Sequence, residues 1–289
     1  MFQDILVTGL VNGGVYALLA VGFSLIFGVA RIVNIAHTAF YMLAAYCFYT
    51  LLVKLHVPLV PGAIIAVLAV TGLSLATYRL VIEPVREHES AVLIATIALA
   101  LVFQESMLLA YGGNFLGIPS AIEGVVSLGG VSIPYQRLLI LCVAAVVLGG
   151  TWFVLYRTRL GLAIRATAND LEVANLMGMD VSRVAMATVA ISVALAAIAG
   201  VAVSPVFVVD PFMWLTPLVT VLSIVVLGGL GSLKGSLIGA FVIGYVEAIT
   251  VFALPQGAFL KGAVALSIMV VVLLLRPEGL YGVAFEEER

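Results

Sequence analysis

The chain has 289 residues, of which 64% are hydrophobic and only 10% charged, and its mean hydropathy is +1.26. A soluble domain carries about 25% charged residues, so a single aqueous core is excluded and the class is a polytopic membrane protein. The formal net charge of −2 excludes the basic footprint of a nucleic-acid binder.

The N-terminus lacks a basic region and a small-residue cleavage site, so the first apolar run, 5–29, is expected to be a retained helix. Gly9, Gly13 and Ala17 repeat at four-residue spacing in it, a ladder for close helix packing, with Asn12 and Tyr16 beside them. A second run, 34–53, holds Asn34, His37 and Tyr41; Pro58 and Pro61 mark a turn, and a third run follows at 61–82. The polar patch 83–90 separates it from a fourth run, 91–111, long enough to span. Segment 112–136, rich in Gly and Ser, reads as an outside loop with room for a short hairpin. A fifth run covers 137–156 and a sixth 184–204. Asp210, Pro211, Trp214 and Pro217 form another outside turn, with Trp214 suited to the membrane interface. Two shorter runs at 218–230 and 236–254 read as partial or tilted segments, with Gly231, Gly235 and Gly239 as a second ladder; a last run is 263–275. No internal repeat is visible in residue identity. The spacing predicts an all-α bundle of eight to ten transmembrane helices, some short or broken, forming one domain over residues 1–289.

The longest polar interruption is 157–183, with Arg157, Arg159, Arg165 and Arg183. Placing it inside puts ten Lys and Arg residues on that side (Arg31, Arg79, Arg86, these four, Lys234, Arg276 and Arg289). Lys54, Arg137 and Lys261 remain outside. That asymmetry makes the loop and the C-terminus cytoplasmic. As one helix from Leu160, the loop would set Leu160, Ile164, Leu171 and Ala174 on one face, with Arg165, Asn169 and Glu172 opposite.

Chemistry-bearing residues within the runs are few. Glu105, with Gln104 beside it, and Glu247 are intramembrane carboxylates, which are functional candidates or else hydrogen-bonded packing groups. Asn12, Tyr16 and Asn34 line a polar path or cross-link helices. His37 has no second ligand at metal spacing, so no metal site is expected. Cys47 and Cys142 lie in apolar runs and read as small buried hydrophobes. In GGLGSLKGS (228–236) Lys234 precedes Gly235, the wrong order for a phosphate-binding loop. Neither paired acids nor a nucleophile–base set occurs in the spans, which argues against an enzyme.

Together these pieces, in this order, resemble the LivH-type permeases of branched-chain amino-acid ABC importers along essentially the whole chain. The resemblance is carried by Asn12-Gly13, Tyr16-Ala17-Leu18, Ile26-Phe27-Gly28, Asn34-Ile35-Ala36-His37, Glu83-Pro84-Val85 and Gln104. It continues through Arg165-Ala166 and Asp170 between Gly161 and Gly178, Leu227-Gly228-Gly229-Leu230-Gly231-Ser232, and Arg276-Pro277-Glu278-Gly279-Leu280-Tyr281-Gly282. It implies that loop 157–183 holds a coupling helix docking on an ATPase subunit, with Arg165, Asp170, Glu172, Ala174 and Gly178 in that role. It also implies a non-catalytic subunit of the bacterial inner membrane that binds no cofactor, ATP and Mg being used by two ATP-binding-cassette partners. A second, LivM-like permease and a periplasmic substrate-binding protein complete the assembly. Asn12, Tyr16, Asn34, His37, Gln104, Glu105, Thr220 and Glu247 are its translocation-path candidates. The chain departs from the family pattern at Thr38, at Leu162, and at Thr220, where a Lys is frequent. Relatives of this fold carry urea, short amides and aromatic acids as well as Leu, Ile and Val. The competing expectation is a stand-alone ion-coupled secondary transporter using Glu105 and Glu247.

Overall fold

The computed structural model describes residues 2–128, 131–276 and 278–281. Pro277 and Gly282 of the closing motif, and Arg289, lie outside the described residues. Helix α1 (Phe2–Ala30) is the axis of the bundle: sixteen of its 29 residues are buried, against two of 19 in α11 (Gly257–Leu275). Around α1 pack α10 (Leu233–Ala253), α8 (Val181–Val203) and α5 (Tyr135–Arg157). α4 (Glu89–Tyr111) and α3 (Leu59–Thr77), which continues through a π turn to Ile82 and a 3-10 turn to Val85, stand further out. In hydrocarbon each backbone must satisfy its own polar groups, so apolar runs of this length become helices.

Seven described helices are long and apolar enough to cross a membrane, namely α1, Leu59–Val85, α4, α5, α8, α10 and α11. Two apolar helices are shorter, α2 (His37–Tyr49), extended by a π turn Thr50–Lys54, and α9 (Leu215–Gly228). The nine segments fall within the expected eight to ten, short ones included. His37 Nε2 lies 3.1 Å from Leu19 O, eleven residues (30 − 19) before the end of α1, or about 16 Å. Segment 31–36 therefore runs inside the bundle and α2 starts near half depth. The 14 residues of α9 cover about 21 Å, less than a hydrocarbon core of about 30 Å. Trp214, expected at the interface, is instead 4% exposed and donates its indole N–H to Gln104 Oε1 at 3.0 Å. An amide acceptor inside the bundle satisfies the ring's one donor there.

The two ends of the bundle differ. At one, β1 (Val125–Leu128) and β2 (Val131–Pro134) form the expected hairpin, and Leu116 bridges Val209. At the other, Arg31 donates to Ala168 O at 3.1 Å, Ser182 Oγ donates to Glu83 Oε1 at 2.6 Å, and Leu280 N–H donates to Leu227 O at 2.9 Å. Lys54, Arg137 and Lys261 belong to the hairpin end, and the other described cations to this basic end.

Loop 157–183 is not one helix. Asp170 (φ −152, ψ 113) divides α6 (Arg159–Asn169) from α7 (Leu171–Leu176), its carboxylate accepting the Val173 N–H at 2.9 Å. An Asp at a helix start satisfies an orphan donor there. The kink re-aims the apolar stripe: Gly161, Ile164, Thr167 and Ala174 point inward, while Leu160 and Leu171, expected on that face, are exposed. A Cβ on Gly161 would overlap the Leu155 and Val154 carbonyls, so α6 can fold back on α5 only with glycine here.

The first glycine ladder is used as expected. A Cβ on Gly244 would sit 2.6 Å from Gly13 N, and one on Gly9 would enter the Tyr245 ring, so α1 and α10 meet backbone to backbone. Gly235 and Gly239 pack against α9 in the same way, but Gly231, at φ 81, belongs to the α9–α10 turn rather than to the ladder. Cys142 also departs from expectation: it is exposed on the outer face of α5, and Cys47 is half-buried.

Candidate translocation site

A cavity of ≈ 550 Å³ opens toward the hairpin end between α1, α5, α9, α10 and α11. Its wall is mainly apolar, with Val11, Val15, Leu19 and Ile140, and its polar groups are Thr8, Asn12 and Tyr16 on α1, Tyr41, Asp210, Thr216, and the cations Arg137 and Lys261. An apolar chamber with few polar groups is the usual form of a small-solute site. Irregular segment 204–214 supplies Val206, Phe207, Val208 and Asp210, so one wall is non-helical at membrane depth, tolerated because it lines a cavity.

Behind the wall lies a buried polar bridge. Tyr16 donates its hydroxyl to Glu247 Oε2 at 2.7 Å, and Thr220 Oγ1 donates to Glu247 Oε1 at 3.3 Å. Glu247 and Thr220 are both 0% exposed. One carboxyl group thus joins α1, α9 and α10, and Tyr16 belongs to both cavity and bridge. On α9, Thr220 offers Glu247 a hydroxyl.

The other path candidates lie elsewhere. His37 is fully buried against α1 and α8: Nε2 faces Leu19 O, Nδ1 lies 3.5 Å from Ser192 Oγ, and Ser192 Oγ donates to Gly22 O at 2.5 Å. It cross-links three helices. Asn34 is 2% exposed, with no partner for Oδ1. Gln104 is buried under Trp214 and donates to Glu105 Oε1 at 3.2 Å, while Glu105 is exposed on the outer face of α4. None of these four lines the cavity. Tyr41, Arg137, Asp210 and Lys261 do. They stand on four separate stretches: Arg137 and Lys261 lie near the starts of α5 and α11, Asp210 in the turn before α9, and Tyr41 inside α2, where nothing in the sequence set it apart from the other aromatic residues.

At the basic end a second cavity of ≈ 580 Å³ is lined by Arg31, Arg165, Lys234 and Glu278 among others. Arg165 stacks over Tyr156, 4.8 Å from the ring centroid. Glu172 is exposed and Ala174 buried, and Gly178 takes φ 80 in the turn that leads to α8. Val173, Leu176 and Met177 are 53%, 85% and 76% exposed, an apolar tip where the chain is otherwise polar. Arg31, itself at φ 54 as it ends α1, ties that helix to the last turn of α6 through Ala168 O.

Residues 5–273 match the family described as the permease component of the branched-chain amino acid transport system. The chain belongs to that family. The BraD protein of Pseudomonas aeruginosa, a permease protein of a high-affinity branched-chain amino acid transport system, is 31% identical, over 96% of this chain and 94% of BraD. The corresponding LivH protein of Salmonella typhimurium is 29% identical, over 97% of this chain and 96% of LivH. In fold, the permease is similar to a chain of the PsaBC complex of Streptococcus pneumoniae, with a TM-score of 0.54, 15% identity, and coverage of 96% and 94% of the two chains. An ABC-importer permease is the resemblance that the sequence motifs carry, and the family match agrees with it.

Proposed function

We propose that this permease subunit works in the bacterial inner membrane with its basic end in the cytoplasm. There α6 and α7 dock on an ATP-binding-cassette ATPase. The observation that carries this is a continuous mechanical line. The exposed apolar tip Val173–Leu176–Met177 belongs to the segment whose α6 holds the end of α1 through Arg31 and Ala168, and α1 supplies Asn12 and Tyr16 to the cavity. A force on the tip is transmitted to the helix that shapes the chamber. Arg165, Asp170, Glu172, Ala174 and Gly178 take different parts. Glu172 contacts the partner, Asp170 caps α7, Ala174 seats it, Gly178 turns the chain, and Arg165 braces α6 on Tyr156. The hydrogen bonds from Leu280 and Tyr281 to Leu227 and Gly228 hold the C-terminal side at the same end, hence in the cytoplasm.

The cargo is a branched-chain amino acid or a related small polar, amide or aromatic solute, delivered by a periplasmic binding protein. Arg137, Lys261 and Asp210 offer both signs of charge, and Val11, Val15 and Ile140 an apolar wall, which suits a zwitterion with a hydrocarbon side chain. A second, LivM-like permease and two ATPases complete the importer. This chain is non-catalytic, and ATP and Mg belong to its partners.

The test is uptake into proteoliposomes carrying the whole importer and internal ATP. Leu176→Asp and Arg165→Glu are expected to lower ATP-driven uptake roughly ten-fold or more, equivalent to about 1.4 kcal/mol of lost docking, while the permease remains folded. Unchanged uptake in both variants overturns the docking assignment. Uptake driven by an ion gradient with ATP absent would instead establish the secondary transporter.

A further inference from the structure

The cavity at the basic end is separate from the chamber that opens toward the hairpin end, and its chemistry is different. Three cations from three elements border it: Arg31 at the end of α1, Arg165 on α6 and Lys234 in the first turn of α10. Among the described residues no carboxylate pairs with any of them, and Glu278 is the one acid on the described wall. Arg31 gives one N–H to Ala168 O, and Arg165 lies 4.8 Å from the Tyr156 ring centroid, so both guanidinium groups keep further donors. The Lys234 side chain has no hydrogen-bond partner among the described residues. α10 also begins here. Its cap, the Ser232 hydroxyl, accepts the Gly235 N–H at 3.1 Å. The Leu233 and Lys234 N–H groups have no carbonyl within the helix, and the positive end of the helix dipole falls at the cavity.

The same cavity borders lipid. Its Leu273 lies on α11, the least buried of the spans, and Leu274 and Leu275 beyond it are exposed. On α5, Tyr156 lines the cavity and stacks on Trp152 at 4.3 Å, an exposed aromatic pair of the kind found at headgroup depth. We infer that this cavity is a binding site for a phosphate group, and its apolar border points to the headgroup phosphate of an anionic phospholipid as the source. Arg31, Arg165, Lys234 and the first N–H groups of α10 take the phosphate oxygens, a convergence that suits this anion. Glu278 accepts from a headgroup hydroxyl, and Leu273 adjoins the start of an acyl chain. A free phosphate uses the first set of groups alone. Segment 228–236 lacks the order of a nucleotide loop, and no nucleotide is needed: Gly231, at φ 81, turns the chain so that Ser232 caps α10 and Lys234 stands in its first turn. One bound phosphate joins α1, α6 and α10, so the anionic content of the membrane sets how firmly the end of α1 is held. The inference goes beyond the docking reading and does not need it, since binding belongs to this chain alone.

The experiment uses the full-length permease in neutral detergent, with its acidic residues 286–288 present as competitors. The probes are phosphatidylglycerol, phosphatidylcholine and inorganic phosphate. Binding is read from the mass of the intact complex and from the midpoint of unfolding in a denaturing detergent. One phosphatidylglycerol per chain is expected to be retained in preference to phosphatidylcholine, and to raise the midpoint. Lys234→Gln is expected to lower its apparent affinity roughly five-fold. Lys234→Arg keeps it, and so does Lys54→Gln at the hairpin end, where Lys54 lies over Tyr111. A Lys234-dependent response to phosphatidylglycerol that persists in excess inorganic phosphate supports the lipid source. An equal Lys234-dependent response to inorganic phosphate alone supports the phosphate site and overturns the lipid source. Phosphatidylglycerol and inorganic phosphate that act equally on wild type and Lys234→Gln, or not at all, overturn the inference whatever the fate of the docking reading. Lys234 is exposed, and an unchanged midpoint without ligand shows that Lys234→Gln is folded.

Discussion

The Tyr16–Glu247 bridge permits a quantitative test, because its geometry fixes what each substitution removes. Tyr16→Phe deletes the donor at 2.7 Å from Oε2 and leaves Glu247 with the longer Thr220 contact at 3.3 Å. Glu247 has no access to solvent, so water cannot replace the lost hydroxyl. Hydrogen bonds between membrane helices average roughly 0.6 kcal/mol in double-mutant cycles, with a maximum of about 1.7. A short bond to a fully buried carboxyl group belongs at the upper end, about 1–1.7 kcal/mol, or roughly five- to eighteen-fold in an unfolding equilibrium. Glu247→Gln keeps an acceptor for Tyr16 and presents an amide to Thr220, whose hydroxyl can accept, so it costs less than Tyr16→Phe. The assay is unfolding of the detergent-solubilised permease by a denaturing detergent, for the wild type, Tyr16→Phe, Glu247→Gln, Glu247→Leu (which removes the acceptor) and the Tyr16→Phe/Glu247→Leu double variant. The double variant is expected to lose less than the sum of Tyr16→Phe and Glu247→Leu, the shortfall being the coupling. Additive effects, with coupling below about 0.3 kcal/mol, refute the bridge as a stabilising link between α1 and α10. In transport, Tyr16→Phe is expected to slow uptake more than Glu247→Gln, since only Tyr16 also faces the cavity.

Two further outcomes follow from packing and capping. Gly244→Ala drives a methyl group toward the Gly13 backbone, where its Cβ would lie 2.6 Å from the nitrogen, so α10 must retreat from α1; the expected cost is about 1–3 kcal/mol, read as an earlier midpoint in the same unfolding assay, and an unchanged midpoint contradicts the backbone contact. Asp170→Ala removes the acceptor of the Val173 N–H and is expected to cost about 1 kcal/mol locally, seen as faster amide exchange confined to residues 171–178, while Asp170→Asn, an equally good cap, restores protection.

How much of this was legible in the sequence depends on the kind of feature. Span number and end-to-end charge asymmetry follow from composition along the chain, since a membrane segment must be apolar over its length and the cations must lie outside it. The Gly9–Gly13 ladder was legible because small residues at four-residue spacing have one use in a bundle. What a one-dimensional reading could not show was depth. His37 stands six residues after Arg31 and reads as near a helix end, yet segment 31–36 turns back into the bundle and buries it beside Leu19. Trp214 was drawn below the interface by an acceptor, Gln104, 110 positions away in sequence. The stripe over α6 and α7 was misjudged for a local reason: Asp170, read as one more polar residue in a helix, caps the next one.

The two intramembrane carboxylates show why burial has to be read from packing and not from position. Glu105 and Glu247 each stand six residues before the end of their helices (111 − 105 and 253 − 247), in apolar runs that hydropathy does not distinguish. They differ because of what surrounds them. α10 carries Gly235, Gly239 and Gly244, which let it sink against α9 and α1 until backbones touch, and Glu247 is carried inward to meet Tyr16 and Thr220. α4 has no glycine between Glu89 and Tyr111 and rests on the bundle by one side, with Val92, Thr96, Ala100 and Gln104 buried at four-residue spacing. Glu105 follows the last of these by one residue, about 100° around the helix, and so leaves the buried stripe. The carboxylate that found its donors on two other helices ties α1, α9 and α10 together, whereas the one turned away from the bundle keeps, among the described residues, only the neighbouring Gln104 amide on its own helix.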